Sequence, residues 1–364
     1  GLSFRDGRVF RHNRNRGIAE LGSIKPPNRA ARVLSGYTIL GRQVDVVETS
    51  RGCTFDCSFC SIIEMRGRNF HRFVIERVIA DISDAHAHGA RAIFLVDDNI
   101  VLDVKRFAAL CEAIIAAGLN GIDYTVQAMT STIADHGERL APLMRRAGFR
   151  YVFLGIENVL QQDLGFLKAA SKNTKRTGGR RTGNAAIDAI RHIHRHGMFV
   201  VGGLIVGNPG DTQADIETNL EFARRWVDWP YIQHPTPYPG TPMTADLRRD
   251  GLIATDEVAQ YDGTTAVVAN AHLSLRDIEF LRWRAERWIK VRHMPAMARH
   301  DPFFSLRHGA ALVRHTFRGS SWRSVLGLED ERRAFERYCV IRQAERDYLR
   351  PVPAPPPMPV LIPA

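Results

Sequence analysis

Three closely spaced cysteines are the part of this sequence with the clearest chemistry. Cys53, Cys57 and Cys60 follow the spacing C-x3-C-x2-C. Three thiolates on a short loop can bind three irons of a four-iron cluster. The two remaining cysteines, Cys111 and Cys339, are far away in the sequence and form no second CxxC pair. The spacing therefore predicts a 4Fe–4S cluster in which one iron stays open to another ligand.

A zinc site and a disulfide are the two alternatives to the cluster. A structural zinc site needs four ligands, usually in two separated pairs, and His71 is the nearby candidate for the fourth. A disulfide needs an oxidising compartment, and five cysteines in 364 residues without an apparent signal peptide do not indicate one. We therefore favour the open cluster. Cys111 and Cys339 are predicted to be small buried apolar residues.

The cysteine segment resembles the signature of the radical S-adenosylmethionine (SAM) superfamily, which has an aromatic residue just before the third cysteine. Phe59 occupies that position. The resemblance implies that Cys53, Cys57 and Cys60 bind the cluster, that SAM chelates the open iron, and that Phe59 packs beside the adenine. In the family, reduction of the cluster cleaves SAM to methionine and a 5′-deoxyadenosyl radical.

Three segments resemble one branch of that superfamily. Residues 48–53 and 59–61, together with the proline-rich segment 235–242, are similar to the branch in which a cobalamin-binding domain precedes the radical SAM domain. The resemblance implies cobalamin as an additional cofactor, bound by a domain outside this chain.

The elements that position these residues follow from the hydrophobic pattern. Short apolar runs of strand length alternate with segments of helical spacing that stop at Gly89 and Gly197. The runs are residues 44–47, 92–96, 122–126, 151–156, 199–206 and 231–233. This alternation predicts an α/β fold with parallel strands and right-handed crossovers. The resemblance implies a partial (βα)6 radical SAM barrel, open on one side, with a C-terminal helical appendage.

In such a barrel the chemistry lies at the carboxyl ends of the strands. Candidates at these positions are Asp97, Asp98, Asn99, Gln127, Glu157, Asn158, Gly203, Ile205 and Gly207. Carboxylates and amides can hold an amine and ribose hydroxyls, and glycines let a flat base approach the backbone. Asp and Asn also begin ordinary turns after strands, which is the alternative explanation for any one of them.

The resemblance assigns roles to these strand-end residues. Gly203, Ile205 and Gly207 match the adenine-contacting motif, and Glu157 matches the ribose position. Gln127 is a candidate cofactor contact from its place on the third strand alone. The second strand offers Asp97, Asp98 and Asn99 for the SAM amino group. The sequence identifies no catalytic residue.

Four regions are predicted along the chain. Residues 1–40 are predicted to be a hairpin and a linker, because Asp6-Gly7 joins two alternating segments and 25–28 is proline-rich. The resemblance implies that they follow a cobalamin-binding domain outside this chain. Residues 41–268 are the radical SAM core, and 269–350 are a helical appendage. Residues 351–364 are a proline-rich tail, predicted to be disordered.

Two motifs that resemble ligand-binding sites are predicted to be structural. Asp84-x-His86-x-x-Gly89 matches a cobalt-ligating pattern but lies at the end of a helical segment rather than in a loop. The arginine- and glycine-rich residues 176–183 are predicted to be a solvated connection rather than a phosphate loop.

Composition indicates an enzyme with its own core. The chain is 45% hydrophobic, and 50 Lys+Arg against 39 Asp+Glu give a net charge of +11, which points weakly to anionic partners. No apolar run approaches the roughly 20 residues of a membrane helix. We expect a cytoplasmic location, a small-molecule substrate and a reducing electron donor such as flavodoxin or ferredoxin, and no nucleic-acid partner.

These observations predict a radical SAM enzyme that uses a 4Fe–4S cluster and SAM for radical methylation or rearrangement of a small or lipid-like metabolite. The alternative is a radical SAM enzyme that modifies tRNA, favoured by the charge. A non-enzymatic iron–sulfur or zinc protein is the third reading, disfavoured by the missing fourth ligand.

Overall fold

The computed structural model describes residues 2–7, 9–14, 20–33, 35–39, 41–177, 180–300, 302–318, 320 and 322–347. The predicted disordered tail, residues 351–364, lies outside the described residues.

A curled sheet of seven strands forms the centre of the structure. The described strands are β1 (Ser3–Asp6), β2 (Val9–His12), β3 (Thr38–Ile39), β4 (Arg42–Val47), β5 (Ser50–Arg51), β6 (His71–Arg72), β7 (Ala92–Leu95), β8 (Asp123–Met129), β9 (Phe149–Glu157), β10 (Thr174–Thr177), β11 (Arg180–Asn184), β12 (Phe199–Ile205) and β13 (Trp229–Gln233). The sheet order is β13-β12-β9-β8-β7-β4-β3. All neighbours are parallel except the two-residue β3, which is antiparallel to β4. The six predicted strands and their parallel pairing are confirmed.

Helices connect successive parallel strands. The described α-helices are α1 (Ile62–Arg66), α2 (Ile75–Ala87), α3 (Val104–Ala116), α4 (Thr130–Arg146), α5 (Gln161–Phe166), α6 (Ala170–Asn173), α7 (Ala186–Arg195), α8 (Gln213–Trp226), α9 (Pro242–Arg249), α10 (Leu275–His300), α11 (Pro302–Thr316), α12 (Trp322–Val325) and α13 (Glu331–Asp347). α2 and α7 are followed by Gly89 and Gly197, whose φ angles of 95° and 67° suit glycine best. The predicted partial barrel is therefore confirmed.

Side-chain alternation explains why the sheet has two different faces. In β8, Tyr124, Val126 and Ala128 are buried, whereas the residues between them are partly accessible. Because successive side chains on a strand point to opposite faces, one face packs against the helices and the other lines the inside of the curl. The outer face supplies most of the main apolar core.

The segment predicted as a linker is tied to the barrel by a buried arginine. Arg29 is 5% exposed. Its guanidinium donates to Asp45 on β4 at 2.7 Å and to Asp81 and Asp84 on α2 at 2.6 and 2.7 Å. Asp84 therefore serves this anchor, and His86 of the same motif bonds the Ala90 carbonyl oxygen at 3.0 Å. The motif lies on a helix end, as the sequence indicated.

Residues 176–183, predicted to be a solvated connection between barrel units, lie mostly in a two-stranded ribbon between α6 and α7. β10 and β11 pair antiparallel there, with a register shift after Lys175. Thr174, Thr177 and Thr182 favour extended strands, a signal that the glycines of this segment obscured. Gly178 and Gly179 lie outside the described residues.

The C-terminal helices pack on the barrel and cover one edge of the sheet. Arg282 of α10 donates from Nε to the Ile232 carbonyl oxygen of β13 at 2.8 Å. Phe280 and Trp283 of α10 form a separate apolar cluster with Ala334 and Phe335 of α13, and Cys339 packs against it. Cys111 is fully buried in α3. In the described part of the chain, none of the helices is long and apolar enough to cross a membrane.

Candidate cluster and cofactor site

A cavity of about 340 Å³ opens at the carboxyl ends of the parallel strands. Its lining includes Cys53, Phe55, Cys57, Phe59, Cys60, Ile62, Ile63, Asp98, Asn99, Gln127, Ala128, Met129, Phe153, Gly155, Glu157, Lys172 and Gln233. All three cysteines of the motif thus share one cavity with five of the predicted cofactor-binding residues. His71, the candidate zinc ligand, is not part of this lining.

The cysteine loop is held by backbone contacts on both sides. β5, just before it, pairs with β6, and the Ser58 amide donates to the Leu167 carbonyl oxygen at 3.0 Å. The Ser58 carbonyl oxygen accepts from the Met243 amide at 2.9 Å. Gly52 has a φ of 94°, and a Cβ there would collide with the Asn69 backbone, so only glycine fits before Cys53.

The thiols lie in surroundings that disfavour a free thiolate. Burial raises the pKa of Cys57 to about 12 and also raises the pKa of Cys60. The Lys172 ammonium acts in the opposite direction on both. A bound iron would supply the positive charge that a buried thiolate needs. The donor set therefore fits an iron–sulfur cluster.

The spacing of potential ligands separates a cluster from a single ion. Within the described ranges, no three His, Cys, Asp or Glu side chains converge closely enough to hold one metal ion. In a four-iron cluster each thiolate binds a different iron, so the thiolates need not converge on one point. Three separated thiols around one cavity suit the cluster better than zinc.

Asp97 has a different place from the one the sequence predicted. It is buried and absent from the cavity lining. One carboxylate oxygen accepts from the Thr49 amide at 2.7 Å, and the other accepts from the Thr49 and Ser50 hydroxyls at 2.6 and 2.5 Å. Because both oxygens are occupied, Asp97 positions the segment that leads into the cysteine loop rather than offering acceptors to a ligand.

Asp98 and Asn99 reach the cavity. Asp98 accepts from the Gly52 amide through Oδ2 at 2.7 Å, which ties the second strand end to the cysteine loop. Asn99 is buried, and its Oδ1 has no hydrogen-bond partner among the described residues. A buried amide oxygen without a donor is costly unless a ligand supplies one. Asn99 therefore offers an acceptor suited to an ammonium group.

Glu157 and Lys172 form a buried ion pair in the cavity wall. Lys172 Nζ lies 2.9 Å from Glu157 Oε1. Burial works against the charge on Lys172, but the carboxylate and the nearby thiols outweigh it and raise its pKa. Glu157 has a φ of 58°, a conformation that costs a non-glycine residue about 1 kcal/mol or more. Lys172 carries no periodic signal in the sequence, because it lies fifteen positions from Glu157 on the short helix α6.

The predicted adenine-contacting residues lie beside the cavity rather than in its lining. A Cβ on Gly203 would stand 2.6 Å from Phe153 Cζ, so glycine there makes room for a lining residue. Ile205 packs in the apolar cluster that contains Cys57. Gly207, with a φ of 85°, donates its amide to Asp211 Oδ2 at 2.8 Å. Their contacts with adenine stay predictions.

A pair of buried carboxyl groups joins two loops next to the site. Asp211 holds the loop after β12, and Asp163 reaches it from α5. Burial, and next the charge of Asp211, raise the pKa of Asp163 to about 7. The two buried carboxyl groups interact directly, so they share a proton rather than both ionising.

Comparison with known proteins agrees with this geometry. The family model described as the Radical SAM superfamily matches residues 47–223, which include the three cysteines and β5 to β12. Residues 47–223 therefore form a radical SAM domain. Members of this superfamily use a 4Fe–4S cluster and SAM.

Two curated relatives and one solved structure show what the chain is similar to. An uncharacterised methyltransferase of Pyrococcus horikoshii is 27% identical over 322 residues, 88% of this chain and 66% of that protein. An anaerobic magnesium-protoporphyrin IX monomethyl ester cyclase of Cereibacter sphaeroides is 28% identical over 219 residues, 58% of this chain and 33% of that protein. The chain thus spans less than two thirds of either relative.

The structural comparison supports the fold. The apo structure of the cobalamin-dependent SAM radical enzyme OxsB has a TM-score of 0.55 and 13% identity, covering 94% of this chain and 55% of that one. At this identity the likeness concerns the fold alone.

Proposed function

We propose that this chain is the radical-generating part of an enzyme that methylates or rearranges a small or lipid-like metabolite. The observation that carries the proposal is the shared cavity, in which Cys53, Cys57 and Cys60 face Asn99 and the Glu157–Lys172 pair. A methyltransferase and a cyclase among the relatives support these two reaction types.

The proposal gives each group in the cavity a task. Cys53, Cys57 and Cys60 would hold the cluster, which when bound supplies the electron for cleaving SAM. Asn99 Oδ1 would accept from the SAM amino group, and Asp98 keeps the cysteine loop at the correct place. Glu157 would accept from the ribose hydroxyls while Lys172 fixes its carboxylate. Phe59 and Phe153 keep water away from the reacting atoms.

The cysteines provide the first test. Cys57→Ala should abolish iron incorporation after anaerobic reconstitution and all formation of 5′-deoxyadenosine, because the cluster loses one of three ligands. Cys111→Ala removes a buried thiol from α3, outside the cavity, and should keep about four irons per chain. Full iron content in the Cys57→Ala protein would contradict the assignment.

A second measurement separates an enzyme from an electron carrier. SAM added to the reduced, reconstituted protein should change the EPR spectrum of the cluster, since one iron is left open to it. An unchanged spectrum at saturating SAM would leave only the electron-carrier reading.

Three further parts of the proposal rest on the resemblance alone. They are cobalamin carried by a domain outside this chain, a reducing donor such as flavodoxin or ferredoxin, and a cytoplasmic location.

A further inference from the structure

The inner face of the curled sheet is accessible and apolar. Its residues are identified by alternation with Gln127, Phe153 and Gln233, which line the cofactor cavity. The apolar members of this face outside the cavity lining are Val46, Phe94, Val96, Val201 and Tyr231. Val46 is 53% exposed and Tyr231 is 50% exposed, although both belong to the central sheet. An exposed apolar surface of this kind usually marks a place where a ligand or partner binds.

The face is continuous with the cofactor cavity. Phe153 lines the cavity and also packs edge-to-face against Tyr231, with ring centroids 5.6 Å apart. A molecule lying along the inner face would therefore have one end at the cavity that holds the predicted cofactors. Its body would meet aliphatic and aromatic side chains without a charged partner.

The end of the inner face that is farthest from the cofactor cavity is lined by different residues under the two halves of the sheet. Under β9 to β13, His293 of α10 is packed among Tyr151, Phe199 and Trp229, with ring centroids 6.3, 5.0 and 6.0 Å away. This aromatic group closes that side of the curl.

Under β4 to β9 the far end carries arginines. Arg42 and Arg150 both contact Asp123, at 2.9 and 3.1 Å. Two guanidinium groups thus share one carboxylate, and the buried Nη1 of Arg150 has no partner among the described residues. A further anion would complete this group.

We propose that the inner face binds an amphipathic substrate with a hydrocarbon or flat ring body and a carboxylate or phosphate at one end. The anionic end contacts Arg42 and Arg150, and the carbon to be modified lies at the cysteine cavity. Asp123 and Gln127 are four residues apart on β8, so the two ends are separated by about 13 Å. This inference rests on the proposed function for the identity of the reacting end.

Fluorescence titration of the full chain with cis-parinaric acid, and with its uncharged methyl ester, tests both parts. We expect the acid to bind about tenfold more tightly than the ester, the difference expected for one charge-assisted contact. Val46→Asp should weaken both probes about tenfold or more, whereas Val258→Asp, at a residue exposed elsewhere, should not. Arg42→Gln should remove the preference for the acid, and Arg249→Gln on the surface should keep it.

Two results would overturn the inference. One is equal probe affinity in the Val46→Asp and Val258→Asp proteins. The other is an acid preference that survives both Arg42→Gln and Arg150→Gln. Tyr231→Asn, at the other side of the face, gives a second reading if Val46→Asp fails to fold.

The same preparations are assayed for SAM cleavage, so that the two proposals fail separately. If the probe affinity is unchanged in these variants while 5′-deoxyadenosine still forms, only the substrate site is refuted. If the variants weaken probe binding but the protein does not cleave SAM, the proposed function is refuted and an amphiphile-binding site remains.

Discussion

The Arg29 anchor and the cysteine cavity are both buried polar clusters, but they are completed in different ways. At the anchor, three carboxylates surround one guanidinium, and Arg32 adds a second cation to Asp45 at 2.6 Å. Burial would raise the pKa of Asp45, yet the hydrogen bonds from Arg32 and Arg29 hold it below its usual value. The protein itself supplies nearly all the partners.

The cavity leaves several groups incomplete. Asn99 Oδ1 has no donor, and burial raises the pKa of the Cys57 and Cys60 thiols, so they stay protonated without an added cation. The difference teaches that a polar cluster which the chain completes serves stability, whereas one that it leaves incomplete indicates a ligand. Four variants can break or sharpen this contrast.

The largest effect is expected at the anchor. Arg29→Met leaves Asp45, Asp81 and Asp84 buried or half-buried without their shared cation, and should lower the free energy of unfolding by about 3 to 5 kcal/mol. Urea unfolding of the full chain measures this. Arg32→Met removes a partly exposed arginine from the same Asp45 and should cost about 1 kcal/mol or less. Equal losses in the two variants would show that the buried Arg29 contributes no more to stability than the partly exposed Arg32.

The Lys172–Glu157 pair should show a smaller, coupled effect. Lys172→Met leaves a buried carboxylate unpaired and should cost about 2 to 4 kcal/mol of stability. The double variant Lys172→Met with Glu157→Gln removes that stranded charge and should recover at least about 1 kcal/mol. Strictly additive costs in urea unfolding would mean that the two side chains do not interact.

Glu157 should matter for the cofactor rather than for the cluster. Glu157→Ala removes an acceptor of ribose hydroxyls and should weaken SAM binding by about 1.5 to 3 kcal/mol in calorimetry, with the iron content unchanged. Glu138→Ala, at an exposed glutamate of α4, is the control and should bind SAM normally. Unaltered SAM affinity in Glu157→Ala would make the residue purely structural.

The last prediction is a pH dependence at Asp163. Its pKa is about 7 when folded against 3.8 ordinarily, so between these values the unfolded chain releases a proton that the folded chain keeps. The free energy of unfolding therefore falls as pH rises from about 4 to 7.

Asp163→Asn cannot ionise and should lose this slope, so its stability relative to the wild type should be higher at pH 8 than at pH 4. Urea midpoints across this range measure it, and Asp135→Asn, exposed on α4, should keep the slope. Parallel profiles for Asp163→Asn and the wild type would argue against a shared proton.

Local signals in the sequence were enough to predict the sheet. The apolar runs, the terminating glycines and the Asp6-Gly7 hairpin depend on neighbouring residues, and each reappears in the structure. The cysteine spacing is also local, which is why the three thiols were found together.

The parts that sequence reasoning missed depend on long-range contacts. Asp97 and Asp98 are adjacent and chemically identical, and only the folded position of Thr49 and Ser50 shows which carboxylate is occupied. Lys172 meets Glu157 because α6 folds back over the strand end, and Arg29 meets carboxylates up to 55 positions away. No periodic pattern encodes such pairs.

An unclosed sheet has two edges, and each is a potential site for unwanted strand addition. Here β3 ends one edge after two residues, while α10 covers the other, with Arg282 occupying the Ile232 carbonyl oxygen of β13. Short or covered edges discourage pairing with other chains. The barrel can therefore stay open to a large ligand without the aggregation risk that an exposed strand edge brings.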